Sequence, residues 1–244
     1  LDTVAPDLVV NATAYTAVDR AESEPERAML LNAEVPRVIG RWAAECGATV
    51  IHFSTDYVFD GDKDSPYVET DTPNPVSVYG LSKLRGDDVL LASGCDAAIL
   101  RVSWVYGLRG SNFLLTMRRL MNERDELKIV DDQIGAPTWS RSIAQAASLV
   151  AYRLLHPNAA EAKPSGVYHL SPGGSTSWFG FASQIRDTLG LECRLNPIPS
   201  SGYPTPARRP ANSRLDSGRL ERELGLRLSS WDNDLNLCLD SADI

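Results

Sequence analysis

A doubly wound α/β fold is what this sequence predicts, on three observations. Short apolar runs alternate along the chain with longer stretches of helical character. The runs are continuously apolar where a half-exposed strand would alternate, which is the pattern of strands in a parallel sheet covered by helices on both faces. The alternation persists to about residue 170, as successive strand–helix units require.

The first strand is predicted at LVVNA (8–12), followed by a helix over 26–46, and TVIHFS (49–54) is a second strand leading to a helix over 76–93. AAILRVS (97–103), LKIV (127–130) and GVYHL (166–170) supply further strands, with helices over 112–124 and 141–155 between them. Beyond residue 170 the texture changes to helices near 177–189, 216–224 and 230–240, separated by NPIPSSGYPTPARRP (196–210). Tyr203 and two arginines among those prolines are not linker composition, so the stretch is read as a long ordered loop. The shift in texture predicts a sheet domain over 1–170, with site loops inserted, and a smaller lobe over 171–244.

Of the 244 residues, 43% are hydrophobic and 23% charged, enough to bury a sizeable core. The formal charge is −8 and the 24 Lys and Arg are scattered, which excludes the massed basic face of a nucleic-acid binder. Cys46, Cys95, Cys193 and Cys238 form no CxxC pair, and His52, His156 and His169 form no ligand pattern, so reduced thiols and no metal are expected. No run approaches the roughly 20 apolar residues of a membrane span, and a cytoplasmic protein with no membrane partner is expected.

The stretch from 54 to 83 carries the chemistry. Tyr79 and Lys83 are spaced i, i+4, so on a helix they share a face, with the ammonium close to the phenol. A neighbouring cation favours the phenolate, and the pair is expected to lower the Tyr79 pKa and make it a proton donor and acceptor near neutral pH. Thr55 ends an apolar strand, where open α/β sheets gather their ligand-binding groups. A Tyr and a Lys four apart also occur as plain surface packing; the strand-end hydroxyl upstream is what turns the reading toward catalysis.

Together these residues resemble the active site of an extended short-chain dehydrogenase/reductase. Further segments narrow the resemblance to the reductases that convert dTDP-4-dehydro-6-deoxy-L-mannose to dTDP-L-rhamnose: NATAYTAVDRAE (11–22), STDYVFDG (54–61), VYGLSKLRGD (78–87), RVSWVYG (101–107), NF (112–113), DDQIGAPT (131–138), YHLSPGGSTSWFGFA (168–182) and YPTPARRPANSRLD (203–216). The resemblance implies a Rossmann-like sheet with a smaller C-terminal substrate-binding lobe, and NADPH or NADH as cofactor. It implies Thr55, Tyr79 and Lys83 as the catalytic trio, Tyr79 protonating the C4 oxygen and Lys83 also holding the nicotinamide ribose. Ala14, Tyr15 and Thr16 are implied cofactor contacts, with turn chemistry as the alternative. Thr55, Asp56 and Trp104 are implied to touch the sugar, although a strand-end Trp is often simply buried. Arg208, Arg209 and Arg214 are candidates for the dTDP phosphates, against the alternative of a solvated basic turn. Asn112 and the Gln133–Thr138 loop are expected to frame the base or the sugar.

Members of this family begin with a strand and a glycine-rich turn into a helix that receives the cofactor pyrophosphate, and neither SPGGSTSW nor GLRGSNF has the spacing or context to supply it. The expectation is that a strand-loop-helix unit is missing, that its loss exposes a strand edge, and that the chain alone is inactive. Some members use a metal at a dimer contact built on N-terminal acidic residues; none is expected here, and a homodimer stays open. Two other readings stay open as well: a non-catalytic subunit resembling the regulatory partner of methionine adenosyltransferase, and another nucleotide-sugar epimerase or dehydratase.

Overall fold

A computed structural model describes residues 1–156 and 163–241; the last residues of the predicted C-terminal lobe, 242–244, lie outside the described residues. Strand β1 (Leu8–Asn11) leads through α1 (Val18–Ala21) and α2 (Pro25–Met29) into α3 (Val35–Cys46). Then come β2 (Thr49–Thr55), α4 (Val78–Leu91) and β3 (Asp96–Val102). A second group follows: β4 (Val105–Tyr106), α5 (Phe113–Glu123), β5 (Glu126–Val130), β6 (Ile134–Gly135) and β7 (Thr138–Trp139). Helix α6 (Ser140–Leu155) returns the chain to the sheet as β8 (Gly166–His169). The remainder is β9 (Thr176–Ser177), α7 (Trp178–Leu189), β10 (Arg194–Ile198), α8 (Gly218–Leu224) and α9 (Trp231–Asp240).

The main sheet has the order β1-β2-β3-β8 with every pairing parallel. Both of its faces are covered, which is why its strands read as unbroken apolar runs. On one face Val50, Ala97 and Ile99 pack with Ala43 of α3 and Leu90 of α4. On the other, Ile51, Ala98 and Leu100 pack with Ile143 and Val150 of α6 and Leu220 of α8. A third apolar cluster joins Leu114 and Met117 of α5 and Leu127 of β5 to Phe181 and Ile185 of α7, Leu195 of β10 and Leu235 of α9. It draws on chain from both sides of residue 170.

Two local readings need correction. LKIV forms a strand, but outside the main sheet: among the described residues β5 pairs, in parallel, with β10 alone. Residues 196–198, read as the start of a loop, are the end of β10. A two-stranded ribbon is all edge, so it accepts Pro197, whose missing N–H a central strand would not tolerate.

The helix expected over 26–46 is interrupted by a π-helical turn at Leu30–Glu34. Pro36 has no N–H for the carbonyl of Asn32, four residues back, and so breaks the α-helical ladder there. That carbonyl lies against α4 at Gly86, where an added Cβ would come within 2.1 Å of it. Among the described residues no helix is long and apolar enough to cross a membrane.

Gly86→Ala should therefore push α4 away from the π-helical turn and destabilise the fold by about 1–3 kcal/mol. Urea unfolding measures this; a variant with an unchanged midpoint would mean the contact is not close.

Candidate active site

The carboxyl ends of β1, β2 and β3 converge on one side of the sheet, where a doubly wound fold opens its ligand crevice. Thr55 is the last residue of β2, and a 3₁₀ turn over Asp56–Val58 follows. Its Oγ1 accepts a hydrogen bond from the Tyr57 N–H at 3.2 Å and donates to Asp56 Oδ1 at 3.0 Å. Helix α4 starts opposite, capped by Ser77 Oγ, which accepts from the Gly80 N–H at 3.2 Å. This start places Tyr79 in the first turn of the helix, near the Thr55 hydroxyl, with its ring edge-on to Tyr57 at 5.6 Å.

Lys83 lies one turn further on and is buried. Its Nζ donates to the Phe53 carbonyl at 2.6 Å and sits 3.3 Å from His52 Nε2. The next turn brings Asp87, whose Oδ2 accepts from Ser54 Oγ at 2.9 Å and from Arg101 Nε at 3.1 Å. Here the electrostatics depart from the expectation. Burial pushes the Tyr79 phenol up to about 12, opposed by the neighbouring Thr55 hydroxyl and reinforced by Asp56 and Asp87. The same burial brings the Lys83 ammonium down to about 8, with Asp87 opposing. Helical spacing alone did not reveal that both groups are enclosed among carboxylates, nor that Lys83 is turned toward the backbone of β2.

Residues 12–16 leave the end of β1 in an extended course, with Thr16 exposed and Ala14 half-buried. Asn32, on the π-helical turn, clamps this loop: its Oδ1 accepts from the Tyr15 N–H at 2.7 Å and its Nδ2 donates to the Tyr15 carbonyl at 3.0 Å and to Ser82 Oγ at 2.9 Å. The Tyr15 side chain is buried and donates to Glu24 at 2.9 Å, and with both its backbone polar groups taken by Asn32 Tyr15 is a fixed point of the loop, beside the exposed Thr16. Sequence reasoning missed Asn32, because a buried Asn inside a helical stretch carries no periodic signal.

Asp56 is buried beside Thr55. Burial pushes its carboxyl up to about 6 against the opposing Ser213 and Thr55 hydroxyls, and its Oδ2 has no hydrogen-bond partner of good geometry among the described residues. Trp104 follows β3 in a left-handed conformation, φ 45°, and is half-buried instead of lost in a core. Its indole stacks on Trp178 at 3.6 Å and 5°, and Trp178 is held by Gln133 Oε1, which accepts from Nε1 at 3.2 Å. Trp178 stood in a quoted segment with no role assigned; the stack gives it one. Asn112 is engaged as the cap of α5, accepting from the Leu115 N–H and donating to the Gly107 carbonyl at 2.8 Å. Thr138 is buried, its hydroxyl donating to the Ala136 carbonyl at 3.1 Å.

The three arginines differ. Arg208 is exposed and has no ion-pair partner among the described residues. Arg209 grips Asp19 with both arms, at 3.0 and 2.8 Å. Arg214 donates to Asn212 Oδ1 and to the Asp64 carbonyl and lines a cleft of about 430 Å³ with Pro66, Ser171, Gly174 and Asp216.

The whole chain, residues 1–244, matches the family described as the RmlD substrate binding domain. A dTDP-4-dehydrorhamnose reductase of Burkholderia thailandensis is 48% identical over 242 residues, which span 96% of this chain and 81% of that protein. The Escherichia coli K12 protein of the same name is 44% identical, over 93% of this chain and 77% of its own. A solved structure of a Bacillus anthracis dTDP-4-dehydrorhamnose reductase in complex with NADP superposes with a TM-score of 0.92 at 33% identity, covering 99% of this chain and 83% of that one.

The raised Asp56 pKa gives a pH signature. Its folded value of about 6 lies above the ordinary 3.8, so its contribution to stability is complete below the ordinary value and is lost as pH rises through 6. Asp56→Asn has no such proton to lose, and in urea unfolding between pH 4 and 7 it should gain on the parent protein as pH rises. A stability difference that stays constant, or that shifts in the parent's favour as pH rises, would contradict the burial of this carboxyl.

Proposed function

The chain belongs to the RmlD substrate binding domain family, and from that premise we propose that it reduces dTDP-4-dehydro-6-deoxy-L-mannose to dTDP-L-rhamnose with NAD(P)H. One observation carries the reading: α4 sets the Tyr79 phenol beside Thr55 at the carboxyl end of β2, one helical turn from a buried lysine. NAD(P)H, when bound, would supply the hydride for the C4 ketone. Tyr79 protonates the C4 oxygen as charge develops on it, and a phenol held near 12 stays protonated at neutral pH until an alkoxide of higher basicity forms. Thr55 orients that phenol and offers its hydroxyl to the same oxygen.

The residues present suit a dinucleotide. Lys83 Nζ spends one N–H on the Phe53 carbonyl and turns another position to His52, so it has a donor left for a ribose hydroxyl. The loop of Ala14, Tyr15 and Thr16, held in place by Asn32, would flank it, with Thr16 exposed. The stacked face of Trp104 and Trp178 suits the apolar side of the sugar, and Asp56 the sugar edge. For the diphosphate, Arg208 and Arg214 have donors to spare. Arg209 is already neutralised by Asp19, so its contribution is to hold the Pro-rich segment in place. We place this activity in the cytoplasm, where the free cysteines stay reduced.

In a protein extended by the glycine-rich strand-loop-helix unit, Tyr79→Phe should lower kcat by roughly 10² to 10⁴ with a smaller effect on substrate binding, read from nicotinamide absorbance with the 4-keto sugar present. Near-normal turnover would take Tyr79 out of the chemistry. In calorimetry with dTDP, Arg208→Ala and Arg214→Ala should each weaken binding, because a charge-assisted phosphate contact is lost. Arg209→Ala should chiefly lower the unfolding midpoint. If Arg209→Ala alone weakens dTDP binding, the phosphate site is centred there.

A further inference from the structure

Behind the trio lies a hydrogen-bonded row that the reaction outlined above does not use. Asn11 ends β1, His52 lies on the neighbouring β2, and both are buried. The Asn11 side-chain oxygen already accepts from the Thr13 N–H at 3.2 Å and the Thr13 hydroxyl at 2.6 Å. Turning the amide over would set N–H against N–H, so its NH₂ must face His52 Nδ1, at 3.0 Å. Nδ1 then presents a lone pair. A neutral imidazole with a bare Nδ1 carries its proton on Nε2, and Nε2 stands 3.3 Å from Lys83 Nζ.

That geometry discriminates between the two forms of the lysine. An ammonium has no lone pair, so at this contact it opposes one donor with another. An amine accepts the Nε2–H while still donating to the Phe53 carbonyl. We propose that Asn11 and His52 are positioning residues for reduction: Asn11 fixes the histidine tautomer so that a donor faces Lys83, favouring the amine over the ammonium and letting Lys83 exchange protons in each turnover. After Tyr79 has given its proton to the sugar oxygen, the Lys83 ammonium, one helical turn away, returns one to the phenolate through a bridging hydroxyl or water, and the resulting amine, stabilised by Nε2–H, takes a replacement from solvent.

The surroundings agree. Burial and the Lys83 charge keep the His52 ring well below the ordinary histidine range and therefore neutral, and Lys83 itself sits near 8. The other ionisable groups around the lysine are Tyr79 and Asp87 on its own helix, and Arg101 on β3, which is paired to Asp87. Asp87 opposes the effect of burial on Lys83, so the histidine acts against a standing pull toward the ammonium.

The catalytic part of this inference rests on the reductase reading, but its test does not. In protein labelled with ¹⁵N in its histidines, without substrate or cofactor, His52 should appear as the Nε2–H tautomer across neutral pH, its signals assigned by their loss in His52→Gln. An Nδ1–H ring, or an imidazolium at pH 7, overturns the proposal without bearing on the reductase assay. Asn11→Asp replaces the donor with an acceptor of the same shape and should move the proton to Nδ1. Asn11→Ala removes the donor without adding charge. In both, the Lys83 titration followed by ¹³Cε shift should rise, by about one unit or more in the aspartate variant. The basic limb of the kcat profile should move with it while KM holds. A Lys83 midpoint that stays put in Asn11→Ala, in a protein that still folds, would reduce the row to packing.

Discussion

The site depends on how closely α4 lies against β2. At Gly80 an added Cβ would stand 2.1 Å from the Tyr57 carbonyl, so the helix start touches the turn that follows the strand. At that separation, one face of α4 delivers Tyr79, Lys83 and Asp87 on successive turns to Thr55, to the Phe53 carbonyl with His52, and to Ser54 with Arg101. A polar stripe on the buried face of a helix is costly unless each member finds a partner. Here the partners come from the strand, so the helix is fixed in both position and rotation. The same contact sets the protonation of the groups, since it excludes water from a phenol, an amine and two carboxylates together.

How far the sequence foretold this varies by level. Strands covered on both faces announce themselves through continuous apolarity, and Val50 beside Ile51 is a clear instance: the two point to opposite layers and both are buried. Tyr79, Lys83 and Thr55 were legible because their spacing and position follow from one helix and one strand end. Asn11, Asn32 and His52 were not, since each acts through a partner far away in sequence and none breaks a pattern. The sign of the Tyr79 shift was misread for a related reason: an i, i+4 neighbour is visible in a sequence, whereas desolvation belongs to the packed state. Pro36 was in plain view, but the π-helical turn it accompanies also needs the facing Gly86.

The arginines make the same point about charge. In the sequence, Arg208 and Arg209 are equivalent neighbours. In the fold, one is solvated and the other is tied to Asp19 near the end of the loop that follows β1, joining the Pro-rich segment to the first helices. A basic cluster read as one binding element thus separates into an anchor and a free donor, and only the tertiary position of a single carboxylate tells them apart.

The ribbon of β5 and β10 has a consequence for the birth of the protein. Its paired residues Glu126 and Arg194 are 68 positions apart, and the apolar cluster beneath them needs α7 and α9 as well. A ribosome adding roughly 5–20 residues per second therefore leaves β5 and the apolar face of α5 without their partners for seconds after they emerge. The layer of α3 and α4 on β2 and β3 can close earlier, so the nascent chain passes through a stage with one part assembled and another presenting bare hydrophobic surface. Chaperone demand and aggregation during synthesis should concentrate in that interval, on the segment between residues 113 and 130.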